Sequence, residues 1–168
     1  PKNIFQFLHL DHSSTSRVIS DSRINHVLFT GSVSGGKEVK KSIGTRFIGA
    51  GLELGGKDPA YVRSDCNLEH AIDNLVDGSY FNSGQSCCGI ERIYVDEKVY
   101  DKFIDGFKSV TEKYILGNPL EENTNLGPVV RINAAKFIRT QVTEALNNGA
   151  KNIIDSNIFK ADDGLNCY

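Results

Sequence analysis

The chain has 168 residues, a length that fits about one domain, with 39% apolar and 24% charged residues and a formal net charge of -2. That balance is ordinary for a globular protein. It gives no electrostatic reason to bind nucleic acid or an anionic membrane. No apolar run approaches the ~20 residues that a membrane span needs, and no secretory leader is evident at the start. The sequence opens Pro1-Lys2-Asn3, contains no Met or Trp, and stops at Asn166-Cys167-Tyr168. It therefore reads as a piece of a longer protein.

Four cysteines, Cys66, Cys87, Cys88 and Cys167, are too few and too unevenly placed for a disulfide scaffold. No CxxC pair suggests a structural zinc site, and no metal is expected. A reduced intracellular compartment follows, cytoplasmic or mitochondrial.

In chain order, Ile4–Leu10 (IFQFLHL) has the apolar, aromatic character of a strand. Asp11 to Ser14 can cap a short helix through Val18 and Ile19. His26–Thr30 (HVLFT) reads as a buried strand, followed by a glycine-containing turn, Gly31–Gly36, and a helix over Lys37–Thr45. Phe47–Leu54 is a third strand, broken by Gly55-Gly56-Lys57-Asp58-Pro59, with a fourth over Ala60–Val62. Leu68, Ala71, Ile72, Leu75 and Val76 then follow helical spacing toward Tyr80, with Asp65 and Asn67 as candidate caps. Ile90–Val95 (IERIYV) reads as an alternating strand. A helix with Tyr100, Phe103, Phe107, Val110 and Tyr114 on one face ends at Gly117-Asn118-Pro119. Glu121–Val130 reads as a loop. A last helix carries Ile132, Ala135, Ile138, Val142, Ala145 and Leu146, with Asn148-Gly149 as its stop. Strands alternating with helices predict an α/β fold with mostly parallel sheets and flanking helices.

Three stretches have the residue types for chemistry. In Gly31–Gly36 (GSVSGG), a strand feeds a glycine-rich turn and a helix, so that backbone N–H groups can approach a phosphate at the positive end of the helix. It is not a G-x-G-x-x-G fingerprint, and an ordinary strand-to-helix turn has equal standing. Glu53, at a strand end before Gly55-Gly56, is placed as a general base could be, or as a surface glutamate. Cys87, in FNSGQSCCG, sits where a helix gives way to a strand; it is a candidate nucleophile or a small buried thiol. None of the four histidines, His9, His12, His26 and His70, is near Cys87 in sequence.

Taken together, FTGS (Phe29–Ser32), LELGGKDP (Leu52–Pro59) and FNSGQSCCGIER (Phe81–Arg92) resemble, in order, the three signature motifs of the aldehyde dehydrogenase superfamily. Glu53 and Cys87 are 34 residues apart by their numbers, a spacing similar to the family's. LGNPLEENTNLGPVV and the helix after it extend the likeness over nearly the whole chain.

The resemblance implies a partial Rossmann-like aldehyde dehydrogenase architecture. Residues 1–53 would end a domain binding NAD or NADP, and residues 54–168 would begin the catalytic cysteine domain. It implies Cys87 as nucleophile, Glu53 as the base that activates the deacylating water, Gly31, Ser32 and Gly36 along the cofactor pyrophosphate, and Leu54 and Gly55 at the nicotinamide end. A small aldehyde is the implied substrate, without nucleic-acid or membrane partners, in a homodimeric or homotetrameric parent. The chain alone would be inactive. Among its departures from the family, its first helix has Ser and Thr (HLDHSSTSRVI) where glycines are usual. Two alternatives stay open at this point: a non-catalytic α/β binding or assembly domain with a structural cysteine, and a cysteine hydrolase.

Overall fold

The computed structural model describes residues 1–168 and divides into two units, Pro1–Gly55 and Gly56–Tyr168. In the first unit, α1 (His12–Ser20) and β1 (His26–Thr30) are followed by α2 (Val33–Ile43) and β2 (Gly49–Glu53). β1 and β2 pair in parallel, from His26 opposite Gly49 to Thr30 opposite Glu53. Ile19 from α1 and Val39 and Ile43 from α2 form the core, against Val27, Phe29, Ile48, Ala50 and Leu52. The spacing of Val39 and Ile43, one helical turn apart, makes that contact possible.

Capping sets the helix starts. The Asp11 carboxylate accepts the Ser14 N–H at 2.7 Å, and that bond holds the acid below the usual carboxylate range. Arg46 donates to the carbonyls of Ile19 and Ile24, tying the end of α1 to the loop behind it. Ser42 joins the two helices: its hydroxyl meets that of Ser16 at 2.7 Å, and its carbonyl accepts from Ser20 at 2.9 Å.

Two expectations are corrected in this unit. Ile4–Leu10 is not a strand: it pairs with no neighbour, and Phe5 is 91% exposed. Without a ladder partner, an apolar run gains neither hydrogen bonds nor burial from extension. α2 begins at Val33 rather than Lys37, because Ser32 caps it by accepting the Gly35 N–H at 3.1 Å. Gly35 and Gly36 thus lie inside the helix. Gly36 is buried facing Leu54, whose Cδ2 would lie 2.8 Å from any Cβ placed there.

The second unit contains β3 (Asp58–Val62), α3 (Leu68–Tyr80), β4 (Ile90–Val95), α4 (Tyr100–Thr111) and α5 (Ile132–Asn147). β3 and β4 are parallel. Val62, Ile72, Val76 and Phe103 form the core, where α3 and α4 cover one face of the pair. Phe103 and Phe107 stack at 5.6 Å, and Tyr80 lies between Phe107 at 6.2 Å and Tyr114 at 5.8 Å. Burial pushes the Tyr80 phenol above its ordinary pKa. The buried Thr111 hydroxyl is satisfied by the Phe107 carbonyl at 2.8 Å.

The strand register has a physical cause that the sequence pattern obscured. Asp58 pairs with Ile90, but Pro59 pairs with Arg92, so Glu91 is left out of the ladder as a bulge. Pro59 has no N–H to donate, so the regular ladder is interrupted there. The consequence corrects the simple alternation read for IERIYV. Strict period two would put Ile90 on the face opposite Ile93 and Val95. The bulge instead returns Ile90 to the helix-covered face, where a Cβ on Gly78 of α3 would lie 3.0 Å from it. Asp58 and Pro59 also belong to β3, where the sequence suggested a break.

α4 ends at Thr111, earlier than the periodicity implied. Lys113 and Tyr114 continue the chain by bonding three residues back, to Val110 and Thr111, which keeps the Tyr114 ring on the cluster. α5 follows the predicted span and stops as expected. Gly149 takes φ +93°, while Gly149 and Ala150 N–H groups return to the carbonyls of Leu146 and Ala145, a Schellman closure. Its apolar stripe is mostly exposed: only Ala135 is buried, and Val142 is 51% accessible. No helix is long and apolar enough to cross a membrane.

The core assignment predicts that Phe103→Ala, at a residue 3% exposed, destabilises the protein by about 3–5 kcal/mol in urea unfolding. Leu120→Ala, at a residue 89% exposed, should stay within about 0.5 kcal/mol.

Candidate active site

The cysteine-bearing turn is built by an abrupt reversal at the end of α3. Asn67 caps that helix by accepting the His70 N–H at 3.1 Å. At the far end, a single tight turn spans Phe81–Gly84. Asn82, Ser83 and Gly84 take φ of +51°, +58° and +72°, three left-handed residues in succession. Asn tolerates that region best and Gly freely, but Ser has no intrinsic reason to adopt it.

Local hydrogen bonds hold the reversal. The Asn82 carbonyl accepts both the Gln85 N–H at 3.1 Å and the Gln85 Nε2 at 3.0 Å. Asn82 Nδ2 donates to the Gln85 carbonyl at 3.1 Å. Two further bonds reach a distant segment: Ser83 Oγ donates to the Gly127 carbonyl at 2.6 Å, and Gln85 Oε1 accepts the Val130 N–H at 2.8 Å.

Cys87 follows, exposed, at the edge of the sheet where β3 and β4 begin. Its carbonyl lies against Gly56. A Cβ at position 56 would fall 2.2 Å from that oxygen, so only glycine fits. The Cys87 N–H is not engaged by any protein acceptor. Cys88 is also exposed, with its sulfur 3.2 Å from the Ser86 hydroxyl. Lys57 and the bulged Glu91 form an ion pair beside the turn. His70 lies in the first turn of α3, while Tyr80, which leads to the turn, lies at its last residue. Ten residues of helix separate them by about 15 Å. Within this unit, then, Cys87 has no histidine partner, which weighs against a cysteine hydrolase built from these residues.

The other sequence-derived candidates lie in the first unit, at the edge where β1 and β2 end. The Gly31 N–H donates to the Glu53 carbonyl at 2.9 Å, which joins the two strand ends. Glu53 is the last residue of β2 and its side chain is exposed. Ser32 caps α2 beside it, and Gly36 packs on Leu54. The structure thus brings Gly31, Ser32, Gly36, Glu53 and Leu54 to one strand-end edge. Gly55 follows them, and a Cβ there would meet nothing within 4 Å.

This edge has the donor set of an anion cradle. The N–H groups of Gly35 and Gly36 are taken by Ser32, but those of Val33 and Ser34 have no protein acceptor. They lie at the positive end of an 11-residue helix, beside the exposed hydroxyls of Ser32 and Ser34. Those groups fit a phosphate or pyrophosphate.

Sequence reasoning placed Ser83 and Gln85 in the motif, but missed the bonds they make and the contact of Gly56 with the turn. The Gly-Gly pair was legible only as a breaker. Nothing local reveals that Ser83 and Gln85 reach residues more than 40 positions away.

Comparison with known proteins decides the family. The aldehyde dehydrogenase family model matches residues 1–168. The chain belongs to the aldehyde dehydrogenase family. The 3-sulfolactaldehyde dehydrogenase of Priestia megaterium is 34% identical over 152 residues, covering 90% of this chain and 31% of that protein. An NADP-dependent glyceraldehyde-3-phosphate dehydrogenase from Bacillus halodurans, solved in complex with NADP, has a TM-score of 0.76 at 32% identity, over 82% of this chain and 28% of its own. Betaine aldehyde dehydrogenase from Staphylococcus aureus, solved with NAD+, has a TM-score of 0.78 at 31% identity, over 82% of this chain and 27% of its own. The aldehyde dehydrogenase chain described here therefore spans about three tenths of the length of the curated relatives it matches.

The two adjacent glycines give a paired test. Gly56→Ala should destabilise the protein by about 1–3 kcal/mol in denaturant unfolding, because its methyl would collide with the Cys87 carbonyl. Gly55→Ala, in open space, should change stability by no more than about 0.5 kcal/mol.

Proposed function

We propose that this chain is part of an NAD(P)-dependent aldehyde dehydrogenase that oxidises an aldehyde to a carboxylic acid, with Cys87 as nucleophile and Glu53 as general base. The observation that carries the reading is the Cys87 turn. It presents an exposed thiol and an unengaged backbone N–H from the same residue. Family membership supports the reaction class, and the neighbours solved with NADP and NAD+ support the cofactor class.

In the proposed sequence, the Cys87 thiolate attacks the aldehyde carbon. A C–S bond forms and the carbonyl oxygen becomes an oxyanion, which the Cys87 N–H is free to receive. Bound NAD(P)+ supplies the acceptor for the hydride that leaves this carbon. Cys87 then holds the acyl group as a thioester. Glu53 takes a proton from water as the water oxygen attacks the acyl carbon; the C–S bond breaks, the acid departs and the thiolate is restored.

The cradle at Gly31, Ser32 and Gly36 would hold the cofactor pyrophosphate through the Val33 and Ser34 N–H groups, and Leu54 and Gly55 would border the nicotinamide. Residues 1–53 are assigned to the cofactor-binding domain and residues 54–168 to the catalytic domain. The whole enzyme would be a homodimer or homotetramer in a reduced intracellular compartment.

In the full-length enzyme, Cys87→Ser should reduce aldehyde oxidation on the order of 10⁴-fold or more. Retained turnover would refute the nucleophile. Glu53→Gln should lower steady-state turnover about 10²–10⁴-fold while leaving a first-turnover burst of reduced cofactor, since deacylation is the step it serves. Absence of that burst in stopped flow would remove Glu53 from this role.

A further inference from the structure

Beyond the nucleophile and the base, we propose that Gln85 and Ser83 are positioning residues that set the trajectory of the Cys87 thiol and the aim of its backbone N–H. This rests on the reading of Cys87 as nucleophile.

The turn that leads to Cys87 is strained. Asn82 and Ser83 occupy the left-handed region, at φ +51° and +58°. Each such non-glycine residue persists only when its surroundings over-determine it. Here the over-determination has two parts, inside the turn and across to a remote segment. Inside, the Gln85 side-chain amide and backbone N–H both bind the Asn82 carbonyl, and Asn82 Nδ2 returns to the Gln85 carbonyl. Across, the same Gln85 amide uses its oxygen to accept the Val130 N–H, and Ser83 donates to the Gly127 carbonyl.

The remote segment is itself fastened. Leu126 bridges to Leu116, and the Val129 N–H donates to the Cys167 carbonyl at 2.9 Å. Gln85 therefore uses both ends of one amide group: the NH₂ closes the reversal, and the oxygen anchors it to a backbone outside the turn. A residue with only a donor or only an acceptor cannot do both. On the other side, the Cys87 carbonyl is stopped by Gly56. The backbone between Gln85 and Cys87 is one residue long, so the pose of the thiol and its N–H follows from these two fixed ends. None of the bonds touches the reacting atoms, which makes the role one of positioning.

The test uses the full-length enzyme and iodoacetamide, with the alkylated residue identified by peptide mass mapping. Gln85→Ala should lower kcat about 10²-fold, the scale expected when a reacting group is misplaced by about 1 Å. The KM for cofactor should stay within about twofold, since the cofactor cradle lies elsewhere in the chain. Gln85→Glu keeps an acceptor for Val130, but loses the donor to Asn82 and adds a carboxylate near the thiolate. Its alkylation profile should move to higher pH, because a like charge disfavours the thiolate. Ser83→Gly deletes the bond to Gly127 at a position where glycine carries no penalty for positive φ. It should therefore fold, and should slow Cys87 alkylation and turnover together.

A folded Gln85→Ala enzyme with wild-type kcat and an unchanged alkylation profile overturns the proposal. If Gln85→Ala does not fold, unchanged profiles in both Gln85→Glu and Ser83→Gly overturn it equally. The two readings fail separately. A wild-type enzyme that oxidises no aldehyde, or a Cys87→Ser variant that still does, defeats the proposed reaction. The alkylation profiles of the other variants judge the positioning of the thiol on their own.

Discussion

The backbone oxygen of Cys87 rests against the α-carbon of Gly56 with no space for a side chain between them. This contact fixes one end of the cysteine turn, and the rest of the second unit is arranged so that it can form. The parallel pairing of β3 and β4 brings Gly56, two residues before β3, and the turn before β4 to one edge. α3, lying on the pair, delivers its last residue to the same edge. The packing of Val76 and Phe103 is thus connected to the site through helix placement. The core positions the helix end, and the helix end positions the reversal.

The two units solve different problems with similar parts. Each is a short parallel pair covered by helices. In the first, the strand ends meet a helix start, so unpaired N–H groups and a carboxylate gather where the strands finish. In the second, the thiol occupies the edge where the strands start. The chemistry each edge offers follows from which chain termini lie there. Helix N-termini expose donors; a turn entering a strand presents a side chain and its own N–H free of any helical bonding.

Much of this was legible in the residues. The apolar spacing of Leu68, Ile72, Leu75 and Val76, the cap at Asn67 and the stop at Gly149 all act as local rules say they should. The three motif segments carry the resemblance to the family, and the match of the family model over residues 1–168 agrees with it. Failures occurred where a non-local term outweighed a local one. Ile4–Leu10 has strand composition but no partner strand. Gly35 and Gly36 have the composition of a turn, yet Ser32 caps a helix that contains them. Pro59 looked like a break, yet its missing N–H is absorbed by a bulge within a continuous pair. Gln85 was legible as part of a motif, but its partners at Asn82 and Val130 were not.

The bulge at Glu91 means that β4 carries one residue more than its ladder needs. That surplus makes chain length, not only side-chain identity, part of what the strand encodes. Removing this single residue would let the backbone zip into an uninterrupted pleat. Ile90 and Ile93 would then stand two places apart in a regular pleat and still share the helix-covered face, so the loss would cost the strand only the carboxylate that pairs with Lys57. A residue lost anywhere else in β4 would turn over the side chains beyond it, so the length of the strand is constrained on both sides of position 91 rather than at it.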